Sequence, residues 1–293
     1  MSENRVVVGI DGSTSSRSAL IWAAHEAHLR DVGLLVVHAR FRPAYDVLFA
    51  GGFYLPPIAD EGEEVAEILR VATELVEHVA PDLEVKASAR PGPAALALLD
   101  AATEGAGLVV VGSRGLGAFG SLFLGSVSIH VAARSPVPVV VVPTDSTFST
   151  TGPVVVGVDG SPHAQAAVHA AAEEAARRHV PLDIVAAYTV PTDLLVTPLA
   201  TSRDEFRQAF QIQAQANAEA AARAAGEAHT VRTHVAEGPP AREIARIAET
   251  ASLVVVGSRG HGEITGPVLG SVSQTLLRHA TWPVLVAHHT STD

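Results

Sequence analysis

The chain has 293 residues, a formal net charge of −11, 47% hydrophobic residues and no cysteine. That length suits about two domains with a large buried core, and the lack of cysteine excludes disulfides, thiolate catalysis and cysteine-ligated metals. The acidic balance, with no basic block, leaves no electrostatic footprint for nucleic acid, and apolar runs such as 137–142 are too short to cross a membrane. Met1-Ser2-Glu3-Asn4 leads straight into a strand with no room for a signal peptide, so a cytoplasmic protein is expected.

The first element reads as a strand near 5–10, Val6-Val7-Val8-Gly9-Ile10, closed by Asp11-Gly12-Ser13. Ser13 is a good N-cap for a helix near 14–30. Strands follow near 33–39, 83–89, 107–112 and 137–142, alternating with helices near 62–79, 93–104 and 122–134. Near-continuous valine runs imply strands buried on both faces of a parallel sheet. A Ser- and Thr-rich linker at 143–153 comes next, and then the series restarts. Val154-Val155-Val156-Gly157-Val158-Asp159-Gly160-Ser161 repeats the opening motif, with Pro162 at the first helical position. Gly92-Pro93 recurs as Gly238-Pro239, and Ser135-Pro136-Val137-Pro138 is echoed by Thr281-Trp282-Pro283. Similarity at this period means duplicated domains, 1–144 and 152–293. The expected fold class is α/β: two tandem doubly wound domains, each a five-stranded parallel sheet of order 3-2-1-4-5 with helices on both faces.

Each copy also carries a glycine loop after its fourth strand. Gly112-Ser113-Arg114-Gly115 is followed after nine residues by Gly125-Ser126, and Gly257-Ser258-Arg259-Gly260 by Gly270-Ser271. Strand, glycine turn and helix N-terminus together point backbone N–H groups at an anion. The loop is no Walker A motif, which needs a lysine beside its last Ser or Thr; the only lysine is Lys86, in a strand. Gly115-Leu116-Gly117-Ala118-Phe119-Gly120 imitates a dinucleotide fingerprint. It follows the fourth strand instead of the first, and the second copy spaces its glycines differently, at Gly260, Gly262 and Gly266. In a sheet of order 3-2-1-4-5 the ligand crevice lies between strands one and four, so Asp11 should face Gly112, and Asp159 should face Gly257.

These residues resemble the universal stress proteins of the adenine-nucleotide alpha-hydrolase-like fold, whose ATP-binding members carry G-x2-G-x9-G-(S/T). Both loops match it in full, and the resemblance spans essentially the whole chain. It implies an ATP site in each half, with ATP held alone or with Mg2+, in a nucleotide-dependent stress or regulatory protein. For the first half it implies contacts from Gly9, Asp11, Ala39, Gly112, Ser113, Arg114, Gly115, Gly117, Gly125, Ser126 and Val127. For the second it implies Gly157, Asp159, Ala187, Gly257, Ser258, Arg259, Gly260, Gly262, Gly270, Ser271 and Val272. It further implies that the last strands pair across a two-fold axis, giving an intramolecular pseudo-dimer that can form a homodimer.

Asp11 and Asp159 could also cap their turns, which is compatible with ligand contact, and Arg114 and Arg259 could meet phosphate or point into solvent. The 14 histidines are scattered and read as surface residues, with no metal site expected. Phe41, Tyr45, Phe49, Phe53 and Tyr54 crowd the loop after strand two as a lid or as packing. The matching segment near 189–205 lacks them, so unequal sites are expected. No catalytic residue is assigned, since no nucleophile with a base and no carboxylate pair accompanies the loops. A slow Mg-dependent ATPase and a nucleotide-independent interaction module are the alternatives.

Overall fold

A computed structural model describes residues 4–40, 61–115, 124–144, 146, 149–190, 203–226, 230–261, 266 and 268–289. In the first half, β1 (Arg5–Ile10), α1 (Thr14–Leu29), β2 (Leu34–Arg40), α2 (Glu61–Val79), β3 (Val85–Pro91), α3 (Ala94–Thr103), β4 (Ala106–Gly112), α4 (Ser126–Arg134) and β5 (Val139–Val142) follow in order. The second half repeats them as β6 (Val154–Val158), α5 (Pro162–Arg178), β7 (Leu182–Tyr188), α6 (Arg203–Ala225), β8 (Val231–Glu237), α7 (Pro240–Ile247), β9 (Leu253–Gly257), α8 (Ser271–His279) and β10 (Val284–Ala287).

Within each half every strand pairing is parallel, in the expected order 3-2-1-4-5. The valine runs are explained by alternation, since successive strand side chains face opposite sides. Val6 and Val8 pack under α1 and α2, while Val7 packs under α3 and α4. Both faces are covered, so Val6, Val7 and Val8 are all fully buried. Ser13 and Ser161 each accept an N–H two or three residues into the helix, from Ser16 and Ala164 at 3.2 Å, as N-caps should.

β5 and β10 pair antiparallel, with Val140 opposite Leu285, and join the two sheets into one of ten strands. Both strands are buried along their whole length. On one side of this seam α1 meets α5 through a ring of charges. Glu26 bonds Arg30 at 2.6 Å, Arg30 reaches Glu174, Arg178 reaches back to Glu26, and Arg178 also bonds Glu174. Glu26 and Glu174 occupy matching places in the repeat, as do Arg30 and Arg178, so the ring is self-complementary under the pseudo-two-fold. Both carboxylates are only 2% exposed, and the Arg178 guanidinium also lies 5.9 Å from the Trp22 ring centre. Burial pushes the pKa of Arg178 down, against the pull of Glu26.

Removing one member would leave a buried charge without its counterpart, which costs more than the intact ring contributes. Glu174→Gln is therefore expected to destabilise the chain by about 3 kcal/mol. Denaturant unfolding should show a lower midpoint; an unchanged midpoint would mean that the ring is open and hydrated.

Candidate functional site

The pairing of β1 with β4, Val7 beside Val109 and Val8 beside Val110, sets the ends of these two strands side by side. Asp11 leaves β1 and the glycine turn leaves β4 into one cleft, at the point where the strand order reverses. β6 and β9 do the same for Asp159 and Gly260.

The Asp11 carboxylate accepts the Ser13 N–H at 3.0 Å, and Asp159 accepts that of Ser161 at 2.9 Å. Both aspartates thus cap their turns, and both also line their clefts. The other carboxylate oxygen lies against the glycine turn. A methyl group on Gly115 would sit 2.6 Å from Asp11 Oδ2, and one on Gly260 would sit 2.5 Å from Asp159 Oδ2.

The turn itself is fixed from behind. Gly112 passes so close to α1 that a Cβ would lie 2.7 Å from the Ser15 carbonyl oxygen; at Gly257 the obstacle is the His163 carbonyl oxygen, also at 2.7 Å. Ser128 Oγ donates to the Gly112 carbonyl at 2.6 Å, and Ser273 Oγ to that of Gly257 at 2.7 Å. The Ser113 N–H pairs with the Val142 carbonyl and the Gly125 N–H with that of Ser113, and the second half repeats both bonds.

Those bonds assign different work to neighbouring motif residues. Ser113 and Ser258 continue the sheet, are buried, and do not line either cleft. Ser258 Oγ instead meets His163 Nδ1 at 3.2 Å. Gly125 and Gly270 hold extended backbone and give their helices no side-chain cap. The first intrahelical bond of α4 runs from the Ile129 N–H to the Gly125 carbonyl. The N–H groups of Ser126, Val127 and Ser128 precede it and open at the positive helix end. The sequence pattern starts this helix near 122; it begins at Ser126 because Gly125 is extended.

Of the other expected residues, Gly9, Ala39, Gly112, Arg114, Gly115, Gly125, Ser126 and Val127 line the first cleft. Gly157, Ala187, Gly257, Arg259, Gly260, Gly270, Ser271 and Val272 line the second. Gly117, Gly262 and the aromatic cluster from Phe41 to Tyr54 lie outside the described residues.

A scan against family models matches residues 3–143 and 150–288 to the universal stress protein family. The chain belongs to that family. It is 35% identical over 299 residues to a universal stress protein of Mycolicibacterium smegmatis, covering 97% of each chain. It is also 35% identical over 305 residues to one from Mycobacterium tuberculosis, again covering 97% of each. In fold it is similar to the crystal structure of a universal stress protein from Archaeoglobus fulgidus, with a TM-score of 0.64 and 21% identity, covering 99% of this chain and all of that one.

In this tandem universal stress protein the two clefts are not copies of each other. The first is a cavity of about 750 Å³, the second one of about 280 Å³. The wall residues Leu98 and Ile244 correspond, and each touches the glycine of the first or sixth strand: a Cβ on Gly9 would lie 2.8 Å from Leu98 Cδ1, and one on Gly157 2.4 Å from Ile244 Cδ1. Ser16 in the first cleft is replaced by Ala164 in the second. Ser16, Leu98, Ile244 and His261 were not picked out by sequence. Ser16 sits three residues past the Ser13 cap and His261 directly follows the second loop, so spacing alone could have flagged both.

Five histidines depart from the expectation of surface residues: His38, His130, His163, His234 and His288 are half-buried. For His163 and His288, burial is the main cause that lowers the pKa. Arg259 and His289 lower His163 further while Asp159 opposes them; for His288, a bond from Nε2 to the Ala132 carbonyl at 2.9 Å opposes the burial. Among the described residues no three His, Asp or Glu side chains gather as a metal site.

Gly112→Ala should drive a methyl into backbone and cost about 1–3 kcal/mol. Gly115→Ala meets only the end of a carboxylate side chain; it should leave the melting temperature almost unchanged while obstructing the cleft. Thermal melts of the two variants check this contrast. A lowered histidine pKa means that the unfolded chain binds more protons below about pH 6.5. The share of stability due to a neutral His288 is therefore complete above that pH and is lost as pH falls toward the folded pKa. His288→Gln, which keeps a donor for the Ala132 carbonyl, should flatten the loss between about pH 7 and pH 5. Denaturation midpoints across that range would reveal it.

Proposed function

We propose that each half binds one adenine nucleotide, ATP in the first instance, and that the chain acts as a nucleotide-dependent stress or regulatory protein. The observation that carries this reading is the repeated meeting of an aspartate, a glycine turn and an uncapped helix N-terminus in a cleft at the strand-order reversal. The phosphates would lie on the Gly112 to Gly115 turn and the first N–H groups of α4, with Arg114 adding positive charge. Gly9 and Ala39 would border the adenine, and Asp11 the ribose. The second half repeats these roles through Gly157, Ala187, Asp159, Gly257 to Gly260, Arg259 and the first turn of α8.

The cradle fits such a ligand in kind. At Gly115 and Gly260 a side chain would intrude on the space between the aspartate and the turn. The first cavity lies within the usual range for small-molecule sites, roughly 300–1,000 Å³, and the second falls just short of it. When bound, Mg2+ would neutralise phosphate charge, with a single aspartate of each cleft near it. The boundaries 1–144 and 152–293 divide the chain so that each domain keeps one complete cleft.

Protein purified without added nucleotide should release close to two adenine nucleotides per chain on denaturation, counted by mass spectrometry. Asp11→Asn should weaken binding at the first cleft roughly tenfold, about 1.4 kcal/mol, and leave the second untouched. Calorimetric titration showing no adenine nucleotide binding at either cleft would reject the reading.

A further inference from the structure

The second cleft holds an ionisable side chain on its own loop that the first does not match. His261 follows Gly260 directly and lines the cavity, whereas sequence places Leu116 after Gly115. Its Nε2 lies 2.8 Å from the Asp159 carbonyl, so the imidazole ties the aspartate turn to the glycine turn. Asn217 of α6 donates to the same carbonyl at 2.8 Å and is itself held by Gln213 at 3.1 Å. In the first half the corresponding contact is apolar: Ile68 of α2 lies 3.8 Å from where a Cβ on Gly12 would sit.

A carbonyl oxygen can only accept, so Nε2 must carry the hydrogen. The remaining ring nitrogen then takes up the titrating proton. In neutral imidazole it shows a lone pair, which repels phosphate oxygens. In imidazolium it becomes a second donor and the ring gains a full positive charge.

We propose that His261 is a specificity-determining residue of the second cleft: it binds ligand phosphate as the imidazolium, so that anion binding there is coupled to uptake of a proton. The inference rests on the nucleotide reading of the clefts. Among the described residues, the charged side chains lining this mouth are Asp159 and, on the same turn as His261, Arg259. His163 stands behind the loop against Ser258. From α6 the bonds at this carbonyl come from the neutral Asn217, held by Gln213, and α7 and α8 present Pro240, Ile244 and Ser271 to the cavity. A bound phosphate adds negative charge beside the ring and so raises the fraction protonated. The first cleft, with Arg114 as its only cation among the described lining residues, has no such step.

ATP serves as the probe, on the full chain, with one cleft disabled at a time by Gly115→Asp or Gly260→Asp. Calorimetry in two buffers of different ionisation enthalpy reads affinity and proton uptake together from pH 6 to pH 8. Titration of ATP itself is common to both clefts and cancels in the comparison. Affinity at the second cleft should rise roughly fivefold more than at the first on going from pH 8 to pH 6, with extra proton uptake near pH 7. H261Q, which can keep the bond to the Asp159 carbonyl but cannot titrate, should remove both differences. H261L serves as a second variant, and melting temperatures confirm that both remain folded.

If the two clefts show the same pH response, or if H261Q and H261L keep the excess proton uptake, His261 only props the turn and the proposal fails while the nucleotide reading stands. Binding of ATP at neither cleft at any pH would overturn both.

Discussion

The cleft depends on one pairing, that of β1 with β4, because it sets the carboxyl ends of two strands, distant in sequence, next to each other with no strand between them. Asp11 leaves one of these ends and the glycine turn the other. β2 and β3 extend the sheet away from β1, and β5 extends it away from β4, so the helices diverge and leave a crevice. At Gly112 backbone meets backbone, since α1 starts beside β4 without room for a Cβ. The Ser128 and Ser273 hydroxyls then hold the turns to the helices that follow them. Everything proposed for the site depends on the turn being held from behind, because a loop that had to order itself on binding would lose much of the interaction energy.

The seam between β5 and β10 has a second consequence. Two separate identical subunits joined in this way would have to carry identical clefts. A covalent duplication keeps the paired geometry and lets each side vary. Some positions stay matched because they share a contact: Glu26 with Glu174 and Arg30 with Arg178 close one ring around the pseudo-two-fold. Others have diverged at the clefts. Ser15 corresponds to His163 in the repeat and Ser16 to Ala164, while Ile68 beside Gly12 gives way to Asn217 beside Gly160. Symmetry is kept in the charge ring and relaxed at the clefts, as expected if the ring needs both halves and each cleft needs only its own.

The strands and the duplication were legible in the sequence because both faces of the sheet are covered, which forces long valine runs, and because the motifs recur at one period. The cleft-lining glycines were legible because they recur at one spacing in both copies; at Gly112 and Gly257 the backbone of α1 or α5 leaves no room for a Cβ. Ser113 and Ser258 were not, since a motif letter does not tell which residues continue the sheet and turn their side chains away. The histidines at 163 and 288 look scattered along the chain, and only folding brings one against Ser258 and the other onto the Ala132 carbonyl.

Local chemistry thus settled the elements, the duplication and the identity of the glycine turns, because each is encoded within a few residues or within a repeat period. The charge ring joins residues about 150 positions apart, and the imidazole of His261 meets a carbonyl 102 residues earlier in the chain. Such contacts follow from how two strand ends and two helices are brought together. That depends on the packing of the whole sheet, and no short stretch of sequence carries it.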